Sequence, residues 1–125
     1  MILFKTKIEE EEFPKLRKRA QIIAFEMAEY CNSFGFDFVI TDVLSEAKED
    51  KRLKRVSKSH QEGRAFDIRT IHWPKEFRVK FIAHFYDKFK SWAAISSKTM
   101  KPHLIEYHDN ANGIHCHIQI RDYRD

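Results

Sequence analysis

No apolar run in these 125 residues approaches the roughly 20 needed to cross a bilayer, so no membrane span is expected. The opening "MILFKTKIEEEEF" lacks the long apolar core and small-residue cleavage site of a secretory leader. Synthesis and folding in the cytoplasm are therefore expected. Cysteine is scarce: Cys31 and Cys116 form neither a framework nor a CxxC pair, which excludes a disulfide scaffold and leaves two buried thiols. Internal repeats, low-complexity tracts and linker-like stretches are absent too, so residues 1–125 read as a single domain.

What is present is the balance of a folded chain. Hydrophobic residues make up 42% and charged ones 34%, a mixture that argues against disorder. Eleven phenylalanines supply much of a core in compact, high-area side chains. The net charge of +4 favours an anionic partner, either an acidic cell-surface polymer or nucleic acid.

Leu16, Ala20, Ile23, Met27 and Tyr30 recur at helical spacing with Gly35 just beyond, so residues 8–33 read as one long amphipathic helix. The acidic run at residues 9–12 suits its N-terminus. "FDFVITDV" (36–43), rich in β-branched and aromatic side chains, reads as a strand, and "RAFDIRT" (64–70) as a second. Residues 44–59 between them are charged and carry no clear period, which predicts a loop with at most a short helix. Pro74 opens a helix to about Trp92, and Phe77, Phe81, Phe85 and Phe89 recur along it every fourth residue; such a stripe is core packing. "HLIEYH" and "GIHCHIQIR" read as antiparallel strands joined through "DNANG". The fold class is α+β, a small antiparallel sheet flanked by a long N-terminal helix and a second helix.

Strand alternation turns the last segment into a chemical statement. Successive side chains point to opposite faces, so Ile114, Cys116, Ile118 and Ile120 share a core face. His115, His117, Gln119 and Arg121 share the other. In "RAFDIR" the same rule sets Ala65, Asp67 and Arg69 opposite Phe66 and Ile68. If the two strands are neighbours, Asp67 and His117 converge, and His60 in the loop entering the strand can add a third donor. Two histidines and a carboxylate are a common catalytic zinc set that leaves a position for water; zinc acidifies such a water and polarises a carbonyl. Gly63 suits a tight turn between these donors. Singly, each residue has a plain structural reading: a solvated loop histidine, an edge-strand carboxylate, a polar outer face.

"SHQEGRAFDI" (59–68) resembles the SxHxxGxAxD signature of the M15 zinc peptidases. That family includes D-Ala-D-Ala dipeptidases and carboxypeptidases, and L-Ala-D-Glu endopeptidases of phage lysis systems. His60, Gly63, Ala65 and Asp67 stand at the family spacing, and the resemblance runs from about Phe36 to Arg121. It implies a Hedgehog/DD-peptidase-like fold with Zn2+ held by His60, Asp67 and His117. The "HCH" form resembles the branch in which the earlier histidine works on substrate or water, which makes His115 the catalytic residue. Three positions depart from the pattern. Lys58 stands where the family has serine, with Ser57 and Ser59 on either side; Ile114 stands where many members carry the carboxylate base; and "TDVLS" replaces the arginine-bearing segment after the first strand. Lys48, Lys51, Arg52 or Arg55 could supply the missing cation, so no substrate-binding residue is assigned.

The resemblance implies a zinc-dependent hydrolase of peptidoglycan stem or cross-bridge peptides, of phage or prophage type. Such a monomeric enzyme meets the cell wall when released at lysis or carried in a virion. "GIHCHIQI" also resembles the hydrophobic-His-hydrophobic-His motif of HUH nucleases, metal-dependent single-strand DNA enzymes that need a nucleophilic tyrosine. Tyr30 and Tyr86 are the candidates, but that reading leaves "SHQEGRAFDI" unexplained, so nucleic acid is the less favoured partner. A third reading keeps the M15-like fold as a binding module without catalysis.

Overall fold

A computed structural model of the chain describes residues 1–44, 62–96, 99–110 and 113–122. The order is β1 (Ile2–Phe4), α1 (Lys7–Glu12), α2 (Lys18–Ser33), β2 (Phe38–Asp42), β3 (Ala65–Arg69), α3 (Lys75–Phe89), β4 (Ile105–Asn110) and β5 (Gly113–Gln119). The strands form one sheet in the order β1-β2-β3-β5-β4, so β3 and β5 are interior neighbours. The α+β class and the two C-terminal antiparallel strands are as the sequence predicts.

The sheet is mixed rather than wholly antiparallel, because β1 pairs with β2 in parallel while the other three pairs are antiparallel. β1 has three residues, too few to show an alternation. Its connection to β2 runs through both N-terminal helices, which gives the length a parallel crossover needs.

The N-terminal helix is not continuous either. α1 is opened by a capping box in which Glu9 accepts from the Thr6 backbone N–H at 2.8 Å and the Thr6 hydroxyl accepts from the Ile8 N–H at 3.2 Å. It gives way to a single 3-10 turn at Phe13–Lys15 carrying Pro14 in its first turn. Proline has no N–H and its ring clashes with the preceding turn, so a helix running through it would cost about 3 kcal/mol. Leu16 is extended at the end of that turn yet buried. The apolar spacing thus marks core residues on both sides of a break.

Along α2, Ala20, Ile23, Ala24, Met27, Ala28 and Cys31 are buried in one stripe. The α3 stripe of Phe77, Phe81, Phe85 and Phe89 is buried as well, with Phe81 and Phe85 ring centroids 4.9 Å apart. Both stripes join Phe38, Ile40, Phe66, Ile68, Cys116 and Ile118 in one core. Those strand residues share a face, so the helices cover it. The other face carries Ala65, Asp67, His115 and His117. The predicted 44–59 loop falls almost wholly outside the described residues.

Candidate metal centre

The register of three strands builds the site. Asp67 stands opposite His117, and Arg69 opposite His115, across β3 and β5. On the far side of β5, Glu106 and His108 of β4 stand opposite His117 and His115. Directly paired residues share a face, so Asp67, His117 and Glu106 form one row across the sheet, and Arg69, His115 and His108 the next. The residues between them in sequence, Phe66, Ile68, Cys116 and Ile118, are fully buried in the core. Packing on one face therefore fixes what the other displays.

The sequence pairing of Asp67 with His117 is observed directly: Asp67 Oδ1 lies 2.8 Å from His117 Nδ1. The second carboxylate oxygen faces His115, with Oδ2 4.0 Å from Nε2, too long for a hydrogen bond. Asp67 is only 6% exposed, and a carboxylate so deep requires positive or hydrogen-bonding partners; the imidazoles are placed to be those partners.

A polar chain continues away from Asp67. His117 Nε2 is 3.1 Å from Gln119 Oε1. The Gln119 amide N–H groups donate to the His103 carbonyl at 3.2 Å and to Glu106 Oε1 at 3.4 Å. Glu106 also meets His103 Nε2 at 3.3 Å and His108 Nε2 at 3.2 Å, and the His108 and His115 ring centroids are 5.1 Å apart. Cys116, between the two histidines, points to the core. Burial pushes its thiol up to about 12, which leaves it protonated and unsuited to metal binding or nucleophilic attack.

His60, the expected third donor, lies outside the described residues, as do Lys48, Lys51, Arg52 and Arg55. The exit from that segment is firmly held. The Gly63 carbonyl accepts from the Arg17 N–H at 3.0 Å and the Glu62 carbonyl from Arg17 Nε at 3.2 Å. Arg64 is tied to the end of β5 by its carbonyl, which accepts from the Ile120 N–H, and by Nη1, which donates to the Ile120 carbonyl, both at 2.9 Å. Gly63 adopts φ +71°, and a Cβ there would sit 3.1 Å from the Lys15 carbonyl oxygen. The glycine serves both a left-handed turn and a close backbone approach.

Among the described residues no three His, Cys, Asp or Glu side chains gather closely enough to hold a metal ion by themselves. Two of the three expected donors are together, one carboxylate and one imidazole, and that pair has the chemistry of a zinc set needing a further ligand. The open hollow lined by Val79, Ile82, Ala83, Tyr86, Asp87 and Lys90 is built on α3 and its C-terminal end and includes none of these groups. Glu106 and His108 were not singled out from sequence, although the alternation that exposes His115 and His117 also puts them on one face of "HLIEYH". What was lacking was the register of β4 against β5.

No protein-family model, curated protein or solved structure matches this chain.

Proposed function

We propose that the chain is a zinc-dependent peptidase of M15 type that cleaves peptide bonds of bacterial peptidoglycan. The observation that carries this reading is the contact of Asp67 with His117 on adjacent strands, with His115 facing the other oxygen of the same carboxylate. Asp67 stands at the family's spacing from His60. His60, Asp67 and His117 would hold the metal; when bound, zinc supplies a Lewis acid for the scissile carbonyl and acidifies a water.

His115 is the proton-handling group on this reading, since its ring faces the second oxygen of Asp67 and an imidazole nitrogen can both accept and donate a proton. Glu106 answers the lack of a carboxylate at Ile114. It reaches the same face from the neighbouring strand and contacts His108, whose ring lies against His115. Arg69, paired with His115 in the sheet, is a cation whose strand position suits a carboxylate of a stem peptide. The net positive charge suits an acidic wall polymer met after lysis or from a virion.

The nuclease reading needs a tyrosine beside the imidazoles. The Tyr30 ring packs among Phe34, Phe77 and Phe85, and the Tyr86 hydroxyl donates to the Pro102 carbonyl. Both belong to helices that cover the other face of the sheet.

The test is metal analysis of the purified chain together with digestion of sacculi and mass analysis of the products. About one zinc per chain is expected, with release of muropeptide fragments; His115→Ala should keep the metal and lose cleavage. Unchanged metal content in both His60→Ala and His117→Ala overturns the reading. Zinc retained with no cleavage of any wall type would leave a binding module, and tyrosine-dependent nicking of single-stranded DNA would favour the nuclease.

A further inference from the structure

β4 ends the sheet. Ile95 bridges to Pro102 just before it, but from Ile105 to Asn110 its outer edge meets no other strand among the described residues. The ladder with β5 decides which groups that edge offers. The Gln119 N–H donates to the Leu104 carbonyl at 2.9 Å, and Ile105 stands opposite Ile118, so Leu104 and Gln119 are a hydrogen-bonded pair. Antiparallel ladders alternate such pairs with non-hydrogen-bonded ones. Glu106 and His108 therefore turn their backbone groups to β5, and Ile105, Tyr107 and Asp109 turn theirs outward. Edges of this kind are commonly blunted by lysine, proline or a bulge. β4, "IEYHDN", has neither lysine nor proline, and its pairing with β5 runs without a register shift.

The sequence of that edge is complementary to itself. Run antiparallel about a two-fold axis through Tyr107, it sets Tyr107 against the partner's Tyr107 and Ile105 against the partner's Asp109. Glu106 falls opposite the partner's His108, and His108 opposite the partner's Glu106. Residues 105, 107 and 109 make the hydrogen bonds, so the two Glu–His pairs are of the closer kind, with Cα atoms about 4.5 Å apart. Opposite charges so placed stabilise a sheet and like charges destabilise it. The two groups already meet within one chain, with His108 Nε2 3.2 Å from Glu106 Oε2. An axis through Glu106 would instead oppose two glutamates. On the helix-covered face, Arg78 of α3 lies over the Tyr107 ring at 4.4 Å. Tyr107 is 40% exposed and Val79, beside Arg78, 57%, which leaves apolar surface at the axis. The partner's Asp109 comes diagonal to Tyr107, a spacing that long side chains such as Arg78 can span.

We propose that a second copy of this chain docks edge to edge on β4 about Tyr107, joining two five-stranded sheets into one. Such an interface is isologous: the same patch serves both copies and closes the assembly at two. The face that carries Asp67, His115 and His117 then runs unbroken across both copies. The partner's His108 extends the row of Asp67, His117 and Glu106, so each site gains an imidazole that one copy alone does not place there. The proposal depends neither on a metal nor on hydrolysis, and it replaces the monomer that the family resemblance implies.

Sedimentation velocity of the full chain across roughly 1–100 μM should show a species of twice the chain mass that grows with concentration. Over the same range, amide hydrogen exchange should slow at Ile105, Tyr107 and Asp109. Tyr107→Pro removes the outward N–H at the axis and spares the bonds to β5, and it should sediment as a folded monomer. Glu106→Lys and His108→Glu each set like charges opposite one another and should be monomeric alone. Mixed in equal amounts, these two should form a heterodimer, because both cross-axis pairs are then complementary. Thermal melting checks that each variant is folded, and exchange on the unaltered chain carries the test if one is not. A monomer at every concentration overturns the proposal, whether or not its own chain protects the edge amides. So does a dimer whose edge amides stay unprotected, a dimer that survives Tyr107→Pro, or a folded charge pair that does not combine.

Discussion

Asp67 and His117 stand directly opposite each other on the two interior strands, β3 and β5, with their side chains in contact at 2.8 Å. A rigid pair of strands is a good place for such a contact, because neither backbone can swing to relax it. Asp67 is also nearly inaccessible, so its charge acts at low local dielectric, where electrostatic interactions are strongest.

Asp67→Asn tests that charge directly. The amide keeps the size and a carbonyl oxygen but removes the anionic donor. Zinc affinity, read by competition with a chromophoric chelator, is expected to fall by more than the roughly 10–100-fold that loss of a group outside the ligand set costs. Asparagine bearing wild-type affinity would remove Asp67 from the proposed metal site.

Gly63 and Gly35 make a matched pair for the second prediction. Both have positive φ, +71° and +80°, but a Cβ at Gly63 meets the Lys15 carbonyl oxygen at 3.1 Å, whereas one at Gly35 meets nothing within 4 Å. Gly35→Ala therefore incurs only left-handed strain, about 1 kcal/mol. Gly63→Ala adds the clash and disturbs the Arg17 N–H bond to the Gly63 carbonyl, for about 2–3 kcal/mol in all. Urea unfolding of the two variants reads the difference; equal costs would mean that the close approach to Lys15 is not tight in solution.

Much of this was legible in the sequence, and the rest was not for identifiable reasons. The period-two pattern of β5 revealed which face carries His115 and His117, because burial of Cys116 and Ile118 forces the alternation. The four-residue phenylalanine step revealed the α3 stripe in the same way. Glu106 and Gln119 make their contacts with partners on another strand or across the face, and a one-dimensional pattern carries no register. The break at Pro14 was readable from the missing N–H, but the apolar spacing continues on either side of it and mimics a single helix. β1, at three residues, owes its place to tertiary pairing with β2.

The phenylalanine stripe supports a third prediction. Phe81 is fully buried and meets Trp73 and Phe85 at centroid distances of 4.8 and 4.9 Å. Phe81→Ala removes both contacts and leaves a cavity under the sheet, for about 3–5 kcal/mol. Val79, two residues earlier and 57% exposed, should tolerate alanine within about 0.5 kcal/mol. Denaturant midpoints at unchanged m-value measure both.

The two thiols set a pH limit on stability. Cys31 and Cys116 are fully buried, and burial pushes each thiol from its ordinary value near 9 up to about 12. Below pH 8 both states of the chain hold the thiol protons, and the thiols contribute no pH dependence. Between about 9 and 12 the unfolded chain has lost protons that the folded chain keeps, so the unfolded state binds fewer and stability falls as pH rises. Each thiol adds at most about 1.4 kcal/mol per pH unit to that slope. Lysines and tyrosines titrate in the same range, so the measurement compares the chain with its Cys31→Ala, Cys116→Ala double variant by urea unfolding from pH 8 to 11. Alanine will lower stability throughout by leaving small voids, but the curve should flatten above pH 9. A double variant whose slope matches that of the unaltered chain would show that neither thiol is held protonated by the fold, and rapid reaction of the native chain with a disulfide reagent at pH 8 would show the same.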